Sequence, residues 1–397
     1  MHQYDLVIIG AGPIGLELGA ACERYGLDYL ILERGQLAQT IADWPSQSRF
    51  FSSPERMAVA GVPFQTVHNQ LAPKEEYLAY LRTVADLYDL KLRLYEEVTE
   101  VRRDGDGFRL HTRKTAAGPP SQARRAAAES SPAASAPSSA ESSSPADSSR
   151  AGASATENEY RAARIVLAVG DMARPKPLGI PGEELPNVTH LFEDTHRYFR
   201  QRLLVVGGRN SAVEAAVRAW RAGVDVSVSY RRPEFDKERV YSRLHLEITL
   251  LAGKGKIPTY MQTVPREIRP QSVLLEYVDE DLNPTGETTE VGTDFVFLAT
   301  GYHQDFSLAT ALGVEFRRKK RLPILHEETM ETTVPGVYLA GTAIGHNRDG
   351  YTTFVGTSHV HVQRIMGHIL NRNPDEITAG TVGRRFYPFT SKDIQSE

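Results

Sequence analysis

The residues of this 397-residue chain best placed to do chemistry are two glycine clusters, each followed by charged side chains about twenty positions on. Gly10-Ala11-Gly12-Pro13-Ile14-Gly15 has the spacing of a loop that cradles a pyrophosphate, and Glu33 follows 18 residues after the last glycine. In such a loop Gly10 permits the tight turn, Gly12 lets backbone N–H groups approach phosphate oxygens, and Gly15 admits close helix–strand packing. Pro13 and Ile14 open the helix, while the Glu33 carboxylate is placed to accept both hydroxyls of an adenosine ribose. A looser version reads Gly207-Gly208-Arg209-Asn210-Ser211-Ala212, with Arg209 where a second pattern glycine would stand. Where a carboxylate would hold the 2′-hydroxyl of NAD, this chain has Arg231-Arg232. Guanidinium groups pair with a 2′-phosphate that a carboxylate would repel, so the second half favours NADPH over NADH. The plainer reading of that segment, RRPEFDKER, is a solvated basic turn. Two dinucleotide sites in one chain imply a relay of electrons or hydride, the first site most often holding FAD and the second NAD(P)H.

Elements must position these loops, and the pattern strand, glycine turn, helix, strand occurs twice. The first copy is YDLVIIG (4–10), a helix over 12–26 and DYLILE (28–33); the second is QRLLVVG (201–207), a helix over 210–223 and VDVSVSY (224–230). Both helices are rich in small residues, which lets them pack close to a parallel sheet. The expected class is α/β with two Rossmann-like dinucleotide-binding domains. Further strands are EYRAARIVLAVG (159–170) and DFVFLATGY (294–302), and Gly170 and Gly301 in them are expected to be cofactor-binding, as is Gly341. TVPGVYLAGTAIG (333–345) reads as a strand ending at Ala340-Gly341, ahead of a helix expected from Thr353 to Leu370. In two-domain flavoproteins such a helix points its N-terminus at the flavin pyrimidine, where its partial positive charge favours the anionic reduced ring. The plainer alternative is a closing βα unit.

Composition narrows the rest. With 46 Lys+Arg against 50 Asp+Glu, the net charge of −4 advertises no nucleic-acid surface. One cysteine, Cys22, excludes an internal disulfide and a CxxC pair, and its place on the first helix, four residues after Leu18, makes it a small hydrophobe facing the sheet. His303, His359 and His361 show no metal-ligand spacing and no nucleophile partner, so each reads as structural, and no catalytic side chain or metal ligand is assigned. No apolar run is long enough to span a bilayer, and the start lacks the pattern of a signal peptide, so a soluble cytoplasmic protein is expected. Residues 116–158 contain 14 Ala, 12 Ser and 5 Pro and no Val, Ile, Leu, Met or aromatic residue. Such a stretch buries nothing to offset its ordering entropy, so it is expected to be a disordered insert. Its flanks, 107–115 and 159–170, read as strands, which makes it an overgrown hairpin loop. The expected plan is a discontinuous FAD domain, 1–185 and 305–397, with an NADPH domain over 186–304 inserted. The Pro/Gly-rich segment 171–186 would connect them.

In order along the chain, GAGPIG, then SQSRFFSSPERMAVAGVPF (46–64), HLFEDTHRYFRQRLLVVGGRNSAVEAA (190–216) and GYHQDF (301–306) resemble the YpdA-type bacillithiol disulfide reductases, relatives of thioredoxin reductase. The resemblance spans nearly the whole chain outside the insert. It implies FAD at Gly10, Gly12, Gly15 and Glu33, with segment 44–53, including Phe51 and Ser52, lining the flavin. It implies NADPH surrounded by Gly207, Asn210, Ser211, Arg231 and Arg232, and many relatives are dimers, which raises a homo-oligomer. One departure matters. Family members proposed to reduce the disulfide carry a cysteine between the proline and the last glycine of the FAD loop, and that position is Ile14 here.

Three readings follow. The first is an NADPH:acceptor reductase whose electron acceptor (a quinone, a flavodoxin, a ferredoxin or a small disulfide) needs no enzyme cysteine. The second is a flavin-containing monooxygenase, which shares two glycine motifs and an ATGY-like segment, Ala299–Tyr302. It is disfavoured because Phe192 and His196 lack the intervening glycine of the FxGxxxH signature. The third is a non-catalytic flavin or nucleotide sensor, disfavoured by pyrophosphate loops in both halves.

Overall fold

The computed structural model describes residues 2–115, 157–317, 322–344 and 353–380. Residues 116–156, and with them almost all of the insert, lie outside the described residues.

The chain opens with β1 (Gln3–Ile9), α1 (Pro13–Tyr25) and β2 (Tyr29–Leu32), a parallel βαβ unit in which Leu6 pairs with Tyr29 and Ile9 with Leu32. Then come α2 (Lys74–Leu87), β3 (Leu92–Arg93), β4 (Glu96–Asp104), β5 (Gly107–Lys114) and β6 (Glu157–Leu167). The sheet order is β3-β2-β1-β6-β5-β4. Successive residues of β1 go to opposite faces: Leu6 and Ile8 pack with Leu16, Leu18 and Ile31, whereas Val7 and Ile9 pack with Leu30, Val101 and Phe108. A parallel strand buried on both faces must be apolar at consecutive positions, as LVII is.

Two short strands, β7 (Arg174–Pro175) and β8 (Val188–Thr189), lead to β9 (Arg202–Val206), α3 (Asn210–Arg221) and β10 (Asp225–Tyr230). Following them are α4 (Ser242–Gly253), β11 (Thr259–Met261), β12 (Thr263–Arg269), β13 (Ser272–Val278), β14 (Pro284–Gly292) and β15 (Phe295–Leu298). Five of these strands form a parallel sheet in the order β11-β10-β9-β15-β8. Leu203 and Val205 meet the alanine face of α3, and Leu204 and Val206 meet Ile268, Val273 and Leu275 of the antiparallel β12-β13-β14 sheet.

The chain returns through β16 (Tyr302–His303), which pairs antiparallel with β7. It continues through the pair β17 (Phe316–Arg317) and β18 (Leu322–Pro323) to β19 (Val337–Leu339), parallel to the end of β6, and α5 (His359–Leu370).

Three boundaries differ from the sequence reading. β6 begins at Glu157, two residues inside the stretch read as insert, because Glu157 and Asn158 continue the antiparallel register opposite Arg113 and Thr112 and Asn158 donates to Glu96 at 2.9 Å. The expected strand 294–302 ends at Leu298, and the chain turns through Gly301 at φ +90° before β16. The last helix starts at His359 rather than Thr353. A 3₁₀ turn, Val355–Thr357, precedes it, where Gly356 backs onto the Arg56 carbonyl so closely that a Cβ would stand 2.8 Å from it.

Candidate functional site

Three strand ends of the first sheet converge on the first glycine loop. Gly10 leaves β1 at φ +111°, and a Cβ there would lie 2.4 Å from the Ala168 carbonyl oxygen at the end of β6. Gly15 is pressed on the same turn: its Cβ would stand 1.9 Å from the Gly10 carbonyl oxygen. Both glycines are therefore demanded by the protein's own packing. Gly12 is different, because a Cβ at that position would meet no protein atom within 4 Å. The protein's own packing therefore does not ask for glycine there, and the space in front of the loop is open. Gly12 caps α1 with no side-chain cap and Pro13 follows it, so the amino end of the helix presents backbone N–H groups and partial positive charge to that space.

Glu33, just past β2, accepts from the Ala11 N–H through Oε2 at 3.0 Å and from the Gly35 N–H through Oε1 at 2.8 Å. Those bonds fix the carboxylate beside the loop, and a carboxylate is an acceptor suited to the hydroxyls of a ribose. Gly170 (φ +71°) and Gly341 (φ +74°) turn the chain at the ends of β6 and β19. Ile14 packs on Gly341, with 3.5 Å from its Cβ to a Cβ placed there. These residues fit the pyrophosphate and ribose of FAD.

The second loop repeats the arrangement. Gly207 (φ +141°) leaves β9, and a Cβ would press on the Ala299 carbonyl oxygen at 2.8 Å. Gly208 lies under the Tyr230 ring, which a Cβ would meet at 2.5 Å. Arg209 caps α3 without a side-chain cap bond, so this helix also presents its first N–H groups, Ser211 among them. Asn210 does structural work besides: its Oδ1 accepts from the Tyr241 N–H at 2.8 Å, and the Tyr241 ring stacks on Phe51 at 5.2 Å. Arg231 and Arg232 follow β10 and are exposed. Arg232 donates to the Glu280 carbonyl at 3.3 Å, and the Arg209 and Arg231 guanidinium groups pair with no acidic side chain among the described residues.

The structure brings these pieces into one continuous cleft of about 3870 Å³, lined from Glu33 and Gly12 through Ser52 and Gly170 to Gly301, Gly208 and Arg231. Every site residue proposed from sequence borders it except Gly15, which packs behind Gly10. A single small ligand fills ~300–1,000 Å³, so the cleft has room for two extended dinucleotides.

Sequence reasoning missed a buried charge cluster at the wall of this cleft. Glu17 on α1 is 1% exposed and accepts from the Ala60 N–H at 3.0 Å, from the Gly380 N–H and, at 2.6 Å, from His359 Nδ1. His359 Nε2 lies 3.1 Å from the Arg56 carbonyl, so both ring nitrogens donate and the ring is an imidazolium. Burial works against that charge, but the Glu17 carboxylate and the bond to Arg56 outweigh it and raise the His359 pKa. Two residues on, His361 accepts from the Gly341 N–H at 3.1 Å through Nδ1, and burial with Arg364 and His359 nearby pushes its pKa down to about 3. The signal was present: a glutamate in the apolar run Leu16-Glu17-Leu18 requires a buried partner. Cys22 is fully buried and burial pushes its thiol up, so it is no thiolate. Among the described residues, no group of three or more His, Cys, Asp or Glu side chains could hold a metal ion, and no helix is long and apolar enough to cross a membrane.

Comparison with known proteins agrees with this geometry. A family model described as pyridine nucleotide-disulphide oxidoreductase matches residues 7–119 and 148–341. Bacilliredoxin reductase Bdr of Bacillus subtilis is 28% identical over 374 residues, covering 94% of this chain and 99% of its own. A ferredoxin–NADP reductase of Ignicoccus hospitalis is 23% identical over 85% of this chain and 89% of its own. Among solved structures, bacillithiol disulfide reductase Bdr (YpdA) from Bacillus cereus superimposes with a TM-score of 0.77 at 27% identity, over 93% of this chain and 99% of that one.

Proposed function

The chain belongs to the pyridine nucleotide-disulphide oxidoreductase family and is an FAD-dependent oxidoreductase, and on that premise we propose that it takes electrons from NADPH and passes them to an acceptor without any thiol of its own. The observation that carries this reading is the single cleft shared by both glycine loops, in a chain whose one cysteine is sealed in the core. Bound FAD supplies a two-electron centre that can release its electrons singly or in a pair. The chain's own residues then divide the work. Gly10, Gly12 and the amino end of α1 hold the FAD pyrophosphate, and Glu33 holds its adenosine ribose. Phe51, Ser52, Gly170 and Gly341 border the flavin. Gly207, Gly208, Asn210 and Ser211 hold the NADPH pyrophosphate at α3, Arg209, Arg231 and Arg232 supply positive charge for its phosphates, and Gly301 borders the nicotinamide half.

The division into an FAD-binding part, 1–185 and 305–397, and an NADPH-binding part, 186–304, is part of the proposal. It is supported by buried cores that separate, one set from residues 6–167 and 309–377 and another from 192–298, with Ile180 and Leu185 of the connector packing on the second. The relative named bacillithiol disulfide reductase makes a small disulfide one acceptor to test, although isoleucine at position 14 could form no mixed disulfide with it. A quinone, a ferredoxin and a flavodoxin are the others.

The test is anaerobic. Purified protein should be yellow, with about one FAD per chain. NADPH should bleach it much faster than NADH, and addition of the right acceptor should restore the colour. A colourless protein that takes up no FAD, or one that NADH reduces as fast as NADPH, refutes the proposal.

A further inference from the structure

Lys176 lies on the connector from the first sheet to the second, and its backbone is pinned to the turn after β15. The Lys176 N–H donates to the Gly301 carbonyl at 2.9 Å, and the Thr300 hydroxyl donates to the Lys176 carbonyl at 2.6 Å. The side chain is laid over that same turn, with Cδ 3.9 Å from where a Cβ on Gly301 would stand. Lys176 borders the cleft, and its ammonium pairs with no acidic side chain among the described residues. It is near enough to His303 of β16 to add to burial in lowering that ring's pKa. An exposed cation fixed at a cleft wall by its backbone is placed for an anion inside the cleft.

The sheet order says which anion. In β11-β10-β9-β15-β8 the chain reverses direction of winding between β9 and β15, and a dinucleotide crosses the strand ends at such a crevice with its pyrophosphate at the helix after β9. Arg231 and Arg232 follow β10, on one side of the glycine loop, and this is the adenosine side. The Ala299–Gly301 turn follows β15, on the other side, and touches the loop where Gly207 meets the Ala299 carbonyl. The second half of the ligand therefore runs toward Lys176. Resting on the NADPH reading above, we propose that the Lys176 ammonium pairs with the nicotinamide-side phosphate of NADPH, a contact indifferent to the 2′-phosphate.

Calorimetry on the FAD-loaded full chain, with NADP⁺ and with 2′,5′-ADP, tests this. The second ligand keeps the 2′-phosphate and the adenosine-side phosphate but lacks the nicotinamide-side one. Lys176→Ala should weaken NADP⁺ about tenfold, the size expected for one charge-assisted pair, and leave 2′,5′-ADP unchanged. Lys176→Arg should recover most of the loss, and the NADPH:NADH preference in flavin reduction should stay as in the wild type. Flavin content and thermal midpoint check folding, with Lys176→Gln as a second neutral variant. Equal loss for both ligands, or no loss for either, overturns the assignment while the NADPH reading stands. A wild-type protein that binds neither ligand overturns both.

Discussion

Arg231 and Arg232 sit beyond the end of β10 with little to hold them but solvent and one carbonyl, that of Glu280. Side chains so placed contribute little to stability, so their replacement reads out ligand binding almost alone. Converting both to Ala should raise the NADPH Michaelis constant by about tenfold or more while NADH stays nearly unchanged, measured as initial rates with any working acceptor. Parallel losses for the two nucleotides would make the arginines structural. Cys22 gives the opposite expectation. Fully buried and held as a thiol, it cannot attack a disulfide, so Cys22→Ala should leave NADPH oxidation unchanged. A variant that still reduces its flavin but no longer passes electrons onward would restore thiol catalysis. At this scale the sequence was readable wherever a residue type carried its own reason. Gly10 and Gly15 are required by the turn itself, whose backbone leaves no room for a Cβ. Lys176 carried no such mark, since a lysine in a Pro/Gly-rich connector acquires meaning only when the Gly301 turn is beside it.

Among the elements, α1 and α5 are joined through Glu17 and His359, and the same carboxylate accepts from the backbone at Ala60 and Gly380. Four segments thus depend on one buried ion pair. His359→Ala strands the Glu17 charge, and removing one partner of a buried pair costs about 3 kcal/mol or more. The sign of the pH dependence follows from the raised His359 pKa. A group whose folded value lies above its unfolded value of 6.5 contributes stability in full below 6.5, and that stability is lost as pH rises through the folded value. The gap in thermal midpoint between wild type and His359→Ala should therefore be widest below about pH 6 and shrink as pH rises through the folded value. A gap that grows rather than shrinks as the pH rises would mean the ring is not an imidazolium. The pair also explains why the last helix was misplaced by the sequence reading. Periodicity sees apolar residues from Thr353 onward, but the packing of Gly356 on Arg56 and of His359 on Glu17 holds Val355–Thr357 in a separate turn.

For the whole molecule, two sheets face one cleft, and the chain crosses between them twice, through strands that pair as β7 and β16. Both βαβ units were legible because parallel strands buried on both faces leave apolar runs that end in glycine. The β12-β13-β14 sheet was not: its strands mix Glu, Arg and Thr with apolar residues, and only its packing beneath Leu204 and Val206 gives the pattern a face. The hairpin reading of the insert does rest on visible geometry. Register from Phe108 opposite Ala162 to Arg113 opposite Glu157 brings the ends of β5 and β6 together, so the 41 residues 116–156 leave and return at adjacent points. A loop closed by paired strands can be shortened without moving either strand. Replacing residues 116–156 with a four-residue turn should retain FAD content and NADPH oxidation, and the reduced closure entropy should stabilise the protein by at most about 2 kcal/mol. The expected thermal midpoint is equal to the wild type or a few degrees higher. Loss of soluble protein, or loss of activity at unchanged flavin content, would show that the Ala/Ser/Pro stretch contributes to folding or to the acceptor site.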